Sequence, residues 1–305
     1  MNLGLFYASL VTIACIIALG FFLGKKKMIS AKTNADLVNL LLSVFMPAAL
    51  LNAFPTEFNS EYATLFRDGL LAGLAVMLAM ILASNFFFSK LFFKGELRYE
   101  AKFAFIFNNA TFLGYPLIST AFGQDIVIAY CGFIVAFNFA LFSYGVYLFE
   151  RRLSFRFFKE LLLNPNIIAV LLGMILFLTG FRLWSPLQNA VSYVAAATTP
   201  LSLICIGYML SHAKFKQISG RWRLAVIAII QLVFAPFLTW LVTIMLHFPI
   251  EVVTVCTLIQ ALPTATSLSL FAEKYGGNQV EASELVITST ALSMVTLPVV
   301  VLLLV

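Results

Sequence analysis

Apolar stretches of about 20 residues recur along the whole chain, and no other feature constrains its fold as strongly. Each is long enough to cross the hydrocarbon of a bilayer and too uniformly apolar for an ordinary soluble core helix. They fall near 4–24, 37–55, 69–93, 101–122, 126–149, 162–181, 187–211, 222–247, 252–272 and 282–304. The expected fold class is therefore an all-α polytopic membrane protein with ten transmembrane helices. With 62% of its 305 residues hydrophobic and 10% charged, the chain leaves no stretch for a sizeable soluble domain. The first stretch resembles a signal peptide in length, but Lys25, Lys26 and Lys27 follow the apolar run instead of preceding it, so it reads as a retained span.

Two of the stretches carry residues that do not belong in an uninterrupted helix. Asn108, Asn109, Thr111, Gly114, Tyr115 and Pro116 interrupt the fourth; Gln260, Pro263, Thr264, Thr266 and Ser267 interrupt the ninth. Proline has no N–H and clashes with the carbonyl four residues back, so backbone groups are freed where lipid cannot satisfy them. Such breaks are tolerated only inside protein or beside water, and a matched pair in the two halves of a chain marks a transporter's substrate site.

Charge gives the topology. Lys25, Lys26, Lys27 and Lys32; Lys90, Lys94, Arg98 and Lys102; Arg151, Arg152, Arg156 and Lys159; Lys214, Lys216, Arg221 and Arg223; and Lys274 all fall in alternate connections, leaving only Arg67 and Arg182 of the 19 basic residues opposite. Positive residues collect on the cytoplasmic side, so both termini are expected outside a cell membrane. The same placement explains the net charge of +6 without nucleic acid. Gly20 and Gly173, Pro47 and Pro200, and Gly123 and Gly276 share one offset of 153 residues. An odd number of spans per half would insert the second half upside down, which gives units at 1–152 and 153–305 as an inverted repeat.

Val44-Phe45-Met46-Pro47-Ala48-Ala49-Leu50, Asn109 through Pro116, Phe122-Gly123, Asn164-Pro165-Asn166-Ile167-Ile168, Ala261-Leu262-Pro263, Ala272-Glu273-Lys274-Tyr275 and Thr296-Leu297-Pro298 follow one another in an order that resembles the auxin efflux carrier family across essentially the whole chain. The resemblance implies a fold shared with plant auxin exporters and, more distantly, sodium/bile-acid symporters. In it five spans make each inverted repeat, the fourth and ninth unwind and cross, spans 1, 2, 6 and 7 form a scaffold, and spans 3–5 and 8–10 form a moving core. It also implies a small organic anion, such as malate or malonate, as substrate.

The second halves of the broken helices are expected to begin after Pro116 and Pro263, so two helix N-termini converge and can hold a carboxylate without a buried lysine or arginine. Asn108, Asn109, Thr111, Gln260, Thr264, Thr266 and Ser267 would supply donors and acceptors, Tyr115 a phenol, and Gly114, Pro116 and Pro263 the break itself. Asn, Thr and Ser also tie membrane helices together without any ligand, so a purely structural role competes at each. No ionisable residue stands clearly at mid-membrane: Asp36, Asp68, Asp125, Glu251, Glu281 and Glu284 fall near span ends. The ninth-span break offers Gln260 and hydroxyls in place of a carboxylate, which weighs against sodium coupling.

Cys15, Cys131, Cys205 and Cys256 are far apart and have no histidine partners, so neither a disulfide framework nor a metal site is expected, and nothing calls for a cofactor. His212 and His247 lie at span ends, and no nucleophile–base pair or paired aspartate stands in the membrane, which argues against an enzyme. A sodium-coupled uptake symporter is the main alternative, a channel the next. The scaffold faces could mediate a homodimer.

Overall fold

The computed structural model describes residues 3–55, 59–89, 97–151, 156–212 and 222–304, and all regular structure among them is helical. In chain order the helices are α1 (Leu3–Lys25), α2 (Ala31–Asn52), α3 (Ser60–Phe87), α4 (Leu97–Ile106), α5 (Tyr115–Ala121), α6 (Ile126–Glu150), α7 (Arg156–Leu162) and α8 (Pro165–Thr179). They continue with α9 (Ser185–Ser211), α10 (Trp222–Met245), α11 (Ile250–Gln260), α12 (Ser267–Tyr275) and α13 (Gln279–Leu304). Six of them (α2, α3, α6, α9, α10 and α13) are long and apolar enough to cross a membrane, and Val11–Lys25, α8 and α11 are shorter apolar helices. Of the basic residues used for the topology, Lys90, Lys94, Arg152, Lys214, Lys216 and Arg221 lie outside the described residues, as does the boundary at 152/153.

Helix starts follow local chemistry instead of hydropathy. Ser30, Asn59, Asn164 and Asn278 accept backbone N–H bonds from the first turns of α2, α3, α8 and α13, the asparagines at 2.8–3.1 Å in their shortest contacts. This is why α3 begins at Ser60, nine residues before the apolar run expected at 69: Asn59 caps it, and Arg67 and Asp68 lie within the helix. Asn164-Pro165 combines a cap with a proline at the first helical position, where a missing N–H costs nothing.

Prolines inside α2 and at the start of α5 are each absorbed by a π turn. Leu41–Phe45 precedes Pro47 and Ala110–Gly114 precedes Pro116, with Met46 N donating to Leu41 O and Tyr115 N to Ala110 O. The five-residue hydrogen bond widens the turn that the proline ring would otherwise strike. The second half-helix of the fourth stretch therefore starts near Ala110, not after Pro116 as the sequence pattern implied. The break itself is Phe107–Asn109.

Two pairs of helices approach most closely through glycine. On α1 and α9 a Cβ at Gly20 would lie 2.3 Å from Ile204 O, and one at Gly207 would lie 2.1 Å from Ile17 O. On α3 and α6, a Cβ at Gly69 would lie 2.2 Å from Ala129 O. Elsewhere α8 packs on α2, where Gly173 meets the ring of Phe54, and α10 packs on α11 and α13. The aromatic core surrounds α4: Phe103, Phe105 and Phe107 are wholly buried, Phe103 and Phe107 have ring centroids 4.8 Å apart, and Phe107 meets Phe137 edge-on at 5.7 Å. A break at the end of such a helix is enclosed by protein, the condition for unpaired backbone at membrane depth.

Candidate functional site

Beyond Ile106 and Gln260 the chain leaves the helix in both places, and the two freed segments pair with each other. Asn108 and Thr264 form an isolated antiparallel bridge. Asn109 N donates to Pro263 O at 2.7 Å, and Ala265 N donates to Phe107 O at 3.0 Å. The remaining backbone groups find side chains: Gln231 Nε2 donates to Leu262 O (2.7 Å), Thr264 N to Ser289 Oγ (3.1 Å), and Tyr130 Oη to Ala110 O (3.0 Å). Backbone polar groups buried away from water must be paired, and helices α6, α10 and α13 supply partners that neither break can supply for itself.

The bridge separates the polar residues into two faces. On the inner face, Asn108 Nδ2 donates to Gln260 Oε1 at 2.7 Å, and Asn108, Gln260, Gln231 and Thr264 are all buried. Four atoms there have no hydrogen-bond partner: Asn108 Oδ1, Gln260 Nε2, Gln231 Oε1 and Thr264 Oγ1. On the outer face lies a cavity of about 210 Å³, lined by Asn109, Phe112, Thr266 and Leu270 from the broken segments, Asn34, Ala35 and Val38 of α2, and Cys205, Ile206 and Met209 of α9. That is room for several waters, the scale of a small dicarboxylate. Asn109 Oδ1 accepts Phe112 N at 3.3 Å, so the Nδ2 donors are the end of this amide left for a ligand. Thr266 makes no capping bond to α12, and Asn34 Oδ1 is buried without a partner.

Of the residues singled out in the sequence, Asn109 and Thr266 thus line the cavity. Asn108, Gln260, Pro263 and Thr264 form the bridge and its inner face. Gly114 lets Leu262 approach, since a Cβ there would sit 3.2 Å from Leu262 Cδ1. Tyr115 and Pro116 are buried in the first turn of α5, with the Tyr115 ring 6.0 Å from that of Tyr130. Thr111 and Ser267 are half-buried in the first turns of the two half-helices.

Sequence reasoning missed Asn34, Gln231, Ser289 and Tyr130. They lie on other helices, within helical backbone, where only the folded arrangement reveals their convergence on the breaks. Glu100 was also missed: it is buried on α4, and its Oε1 accepts Asn278 N at 2.8 Å, joining that helix to the start of α13. Its one signal was a lone carboxylate at the edge of the fourth apolar stretch.

A family model described as membrane transport protein matches residues 5–155 and again residues 151–301. A protein of Rhizobium meliloti (strain 1021) named "Putative malonate transporter" is 29% identical over 140 residues, 45% of this chain and 43% of that protein, so the match spans less than half of that relative. A protein of Escherichia coli (strain K12) named "Uncharacterized transporter YfdV" is 25% identical over 291 residues, 88% of each chain.

Proposed function

The chain belongs to the membrane transport protein family, the auxin efflux carrier group that its motifs resemble, and on that premise we propose that it is a secondary carrier of small organic anions, working by alternating access about the paired breaks. The observation that carries this reading is the cavity between the two breaks and helices α2 and α9, with donor groups at Asn109 and Thr266 and, among the described residues, no basic side chain in its wall. The segments starting at Ala110 and Ser267 present their N-terminal turns to it. Each such terminus has about half a positive charge, enough to favour a carboxylate where lysine or arginine is absent. Malonate, in the printed name of one relative, is of this class.

In this reading the chain has ten spans, the fourth being α4 with α5 and the ninth α11 with α12, in inverted units at 1–152 and 153–305. Mirrored details support it. Gly123 and Gly276, 153 residues apart, both have positive φ, +87° and +88°. Gly20 and Gly173, 153 residues apart, are both points of close helix approach, and Thr198 Oγ1 donates to Phe45 O across the same 153-residue separation. Helices α1, α2, α8 and α9 then form the scaffold, and the cavity lies where the core meets it. An inside-negative potential assists anion export by about 2.3 kcal/mol per charge per 100 mV.

The test is thermal stabilisation of the purified protein by mono- and dicarboxylates, with and without sodium. A ligand at 100 times its Kd raises stability by about 2.7 kcal/mol. A shift with one carboxylate class, lost in Asn109→Ala, is expected; no shift with any anion would overturn the reading. Sodium-coupled uptake is the second reading, favoured by the partnerless oxygens of Asn108, Gln231 and Thr264 beside the break. Replacing sodium with choline in a proteoliposome uptake assay separates the two.

A further inference from the structure

A second cavity lies away from the crossover. Helices α10, α11 and α13 enclose a groove of about 520 Å³ whose walls include Leu232, Pro236 and Trp240 of α10, Thr257 of α11, and Thr296 and Val300 of α13. Its rim residues Val233, Phe237 and Val299 are exposed, and in a membrane-spanning chain that exposure faces hydrocarbon. Most of the threonines on these helices silence their hydroxyls by bonding the carbonyl four residues back: Thr239, Thr243, Thr288 and Thr290 do so at 2.7–2.8 Å. Thr257 and Thr296 do not; both hydroxyls are buried without a partner, and Thr257 is only 3% exposed.

The two threonines stand at one level. Both line the same groove, Thr257 from α11 and Thr296 from α13, and their chain neighbours Leu258 and Leu297 share one apolar cluster with Val301. Thr257 is seven residues from the start of α11 and Thr296 eight from the end of α13, so each lies about 10–12 Å along its helix from that end. Bulk water does not reach a lipid-facing groove at this depth, and an apolar cavity stays dry. The ester groups of a phospholipid are held at the interface and do not descend to this level. The occupant therefore has to be a free amphiphile with an apolar body and one polar group. Two hydroxyls, each able to donate and accept, match a neutral carboxyl group, which offers one acceptor and one donor. Among the described residues no lysine, arginine or histidine lines the groove to hold the ionised form.

We propose that this groove binds a fatty acid from the bilayer, the acyl chain along α10 and α13 and the protonated carboxyl group between Thr257 and Thr296. The test uses the full-length protein in phosphatidylcholine vesicles, with a diazirine-bearing palmitic acid as photolabel and a diazirine-bearing phosphatidylcholine as control. The acid is expected to label peptides containing residues 232–240 and 295–304, and unlabelled palmitic acid should compete. The double variant Thr257→Val/Thr296→Val should cut labelling by the acid roughly five- to tenfold, the scale of two hydrogen bonds inside a membrane, and leave phospholipid labelling unchanged. Val299→Trp, on the exposed rim, should block the groove without touching the buried hydroxyls, and keeps the test decisive if the double variant folds poorly. Labelling that palmitic acid does not compete, or that both variants leave unchanged, would mean that ordinary phospholipid tails fill the groove, and would overturn the proposal. Each readout is independent of transport, so it stands or falls separately from the carrier assignment.

Discussion

On the inner face of the crossover, Asn108, Gln260, Gln231 and Thr264 are shut inside protein, with Asn108 bonded to Gln260 and Gln231 to broken backbone; on the outer face, Asn109, Thr266 and Asn34 border open volume. The residue types are the same, and Asn108 and Asn109 are adjacent in the chain. What differs is the side of the bridge. Asn109 (φ −78°, ψ 53°) and Thr266 (φ −61°, ψ −22°) have left the extended path of the bridge and line the cavity, while Asn108 and Thr264 stay in the pairing that holds the break. The lesson is that an asparagine in a broken membrane helix is assigned by its place relative to the bridge and not by its type. The division can be attacked from either face.

The largest effect on the folded state is expected on the inner face. Gln260→Leu removes the acceptor of Asn108 Nδ2 and leaves that donor buried, at a cost of about 1–3 kcal/mol. Melting temperature should fall by several degrees and transport should go with it, and a saturating anion should not restore activity. Asn108→Leu should do the same, and the double variant should cost less than the sum, because the second change removes an already orphaned group. Full additivity in melting temperature would show that the two amides are not a pair and that the inner face is no unit.

The second effect belongs to the cavity. Asn34→Asp keeps the shape of a side chain whose Oδ1 has no partner, so the fold should be unaffected. It adds a negative charge to the wall, however. At about 5 Å and an effective dielectric of about 20, repulsion of an anion is about 3 kcal/mol, on the order of a hundredfold in affinity. An unchanged KM for the anion would remove α2 from the site.

These contrasts also set what could be read in advance. The breaks were legible because Gly, Pro and paired amides inside an apolar stretch have no other use there. Their limits were not: Pro116 marked the wrong turn, since the π turn at Ala110–Gly114 absorbs it and moves the break back to Phe107–Asn109. The start of α3 was hidden because hydropathy registers the lipid-facing length, while Asn59 sets the hydrogen-bonded length. Asn34 and Gln231 could not be found at all, because a polar residue in a regular helix gives no local sign of which distant loop it meets.

Next in size is Asn109→Ala. Its amide oxygen caps Phe112 N at a long 3.3 Å, so loss of that cap should cost no more than about 1 kcal/mol and leave a well-folded protein. The residue is buried, so water cannot readily replace its donors to a charged ligand, a bond worth about 1.5–3 kcal/mol. Affinity should fall roughly ten- to a hundredfold, measured as loss of the anion-induced thermal shift. A fall in melting temperature as large as that of Gln260→Leu would place Asn109 on the inner side and collapse the distinction.

The smallest effect is the sharpest discriminator. Thr266 immediately precedes α12 in helical backbone, with φ −61° and ψ −22°, and makes no capping bond, so its hydroxyl contributes nothing to holding the half-helix. Thr266→Val preserves the branched shape, and melting temperature should not move. The side chain is half-buried, so on loss of the hydroxyl a water can take over part of its role toward an anion, and the penalty should be that of a neutral hydrogen bond, about 0.5–1.5 kcal/mol. That corresponds to a rise of roughly two- to tenfold in KM with kcat nearly constant, the pattern of a group that contacts substrate equally before and during transport. Thr264→Val, two residues earlier and wholly buried, should leave KM alone, because Thr264 is part of the bridge and does not line the cavity. If the two valine variants raised KM alike, the bridge would not be dividing the motif, and the cavity would have to reach through it.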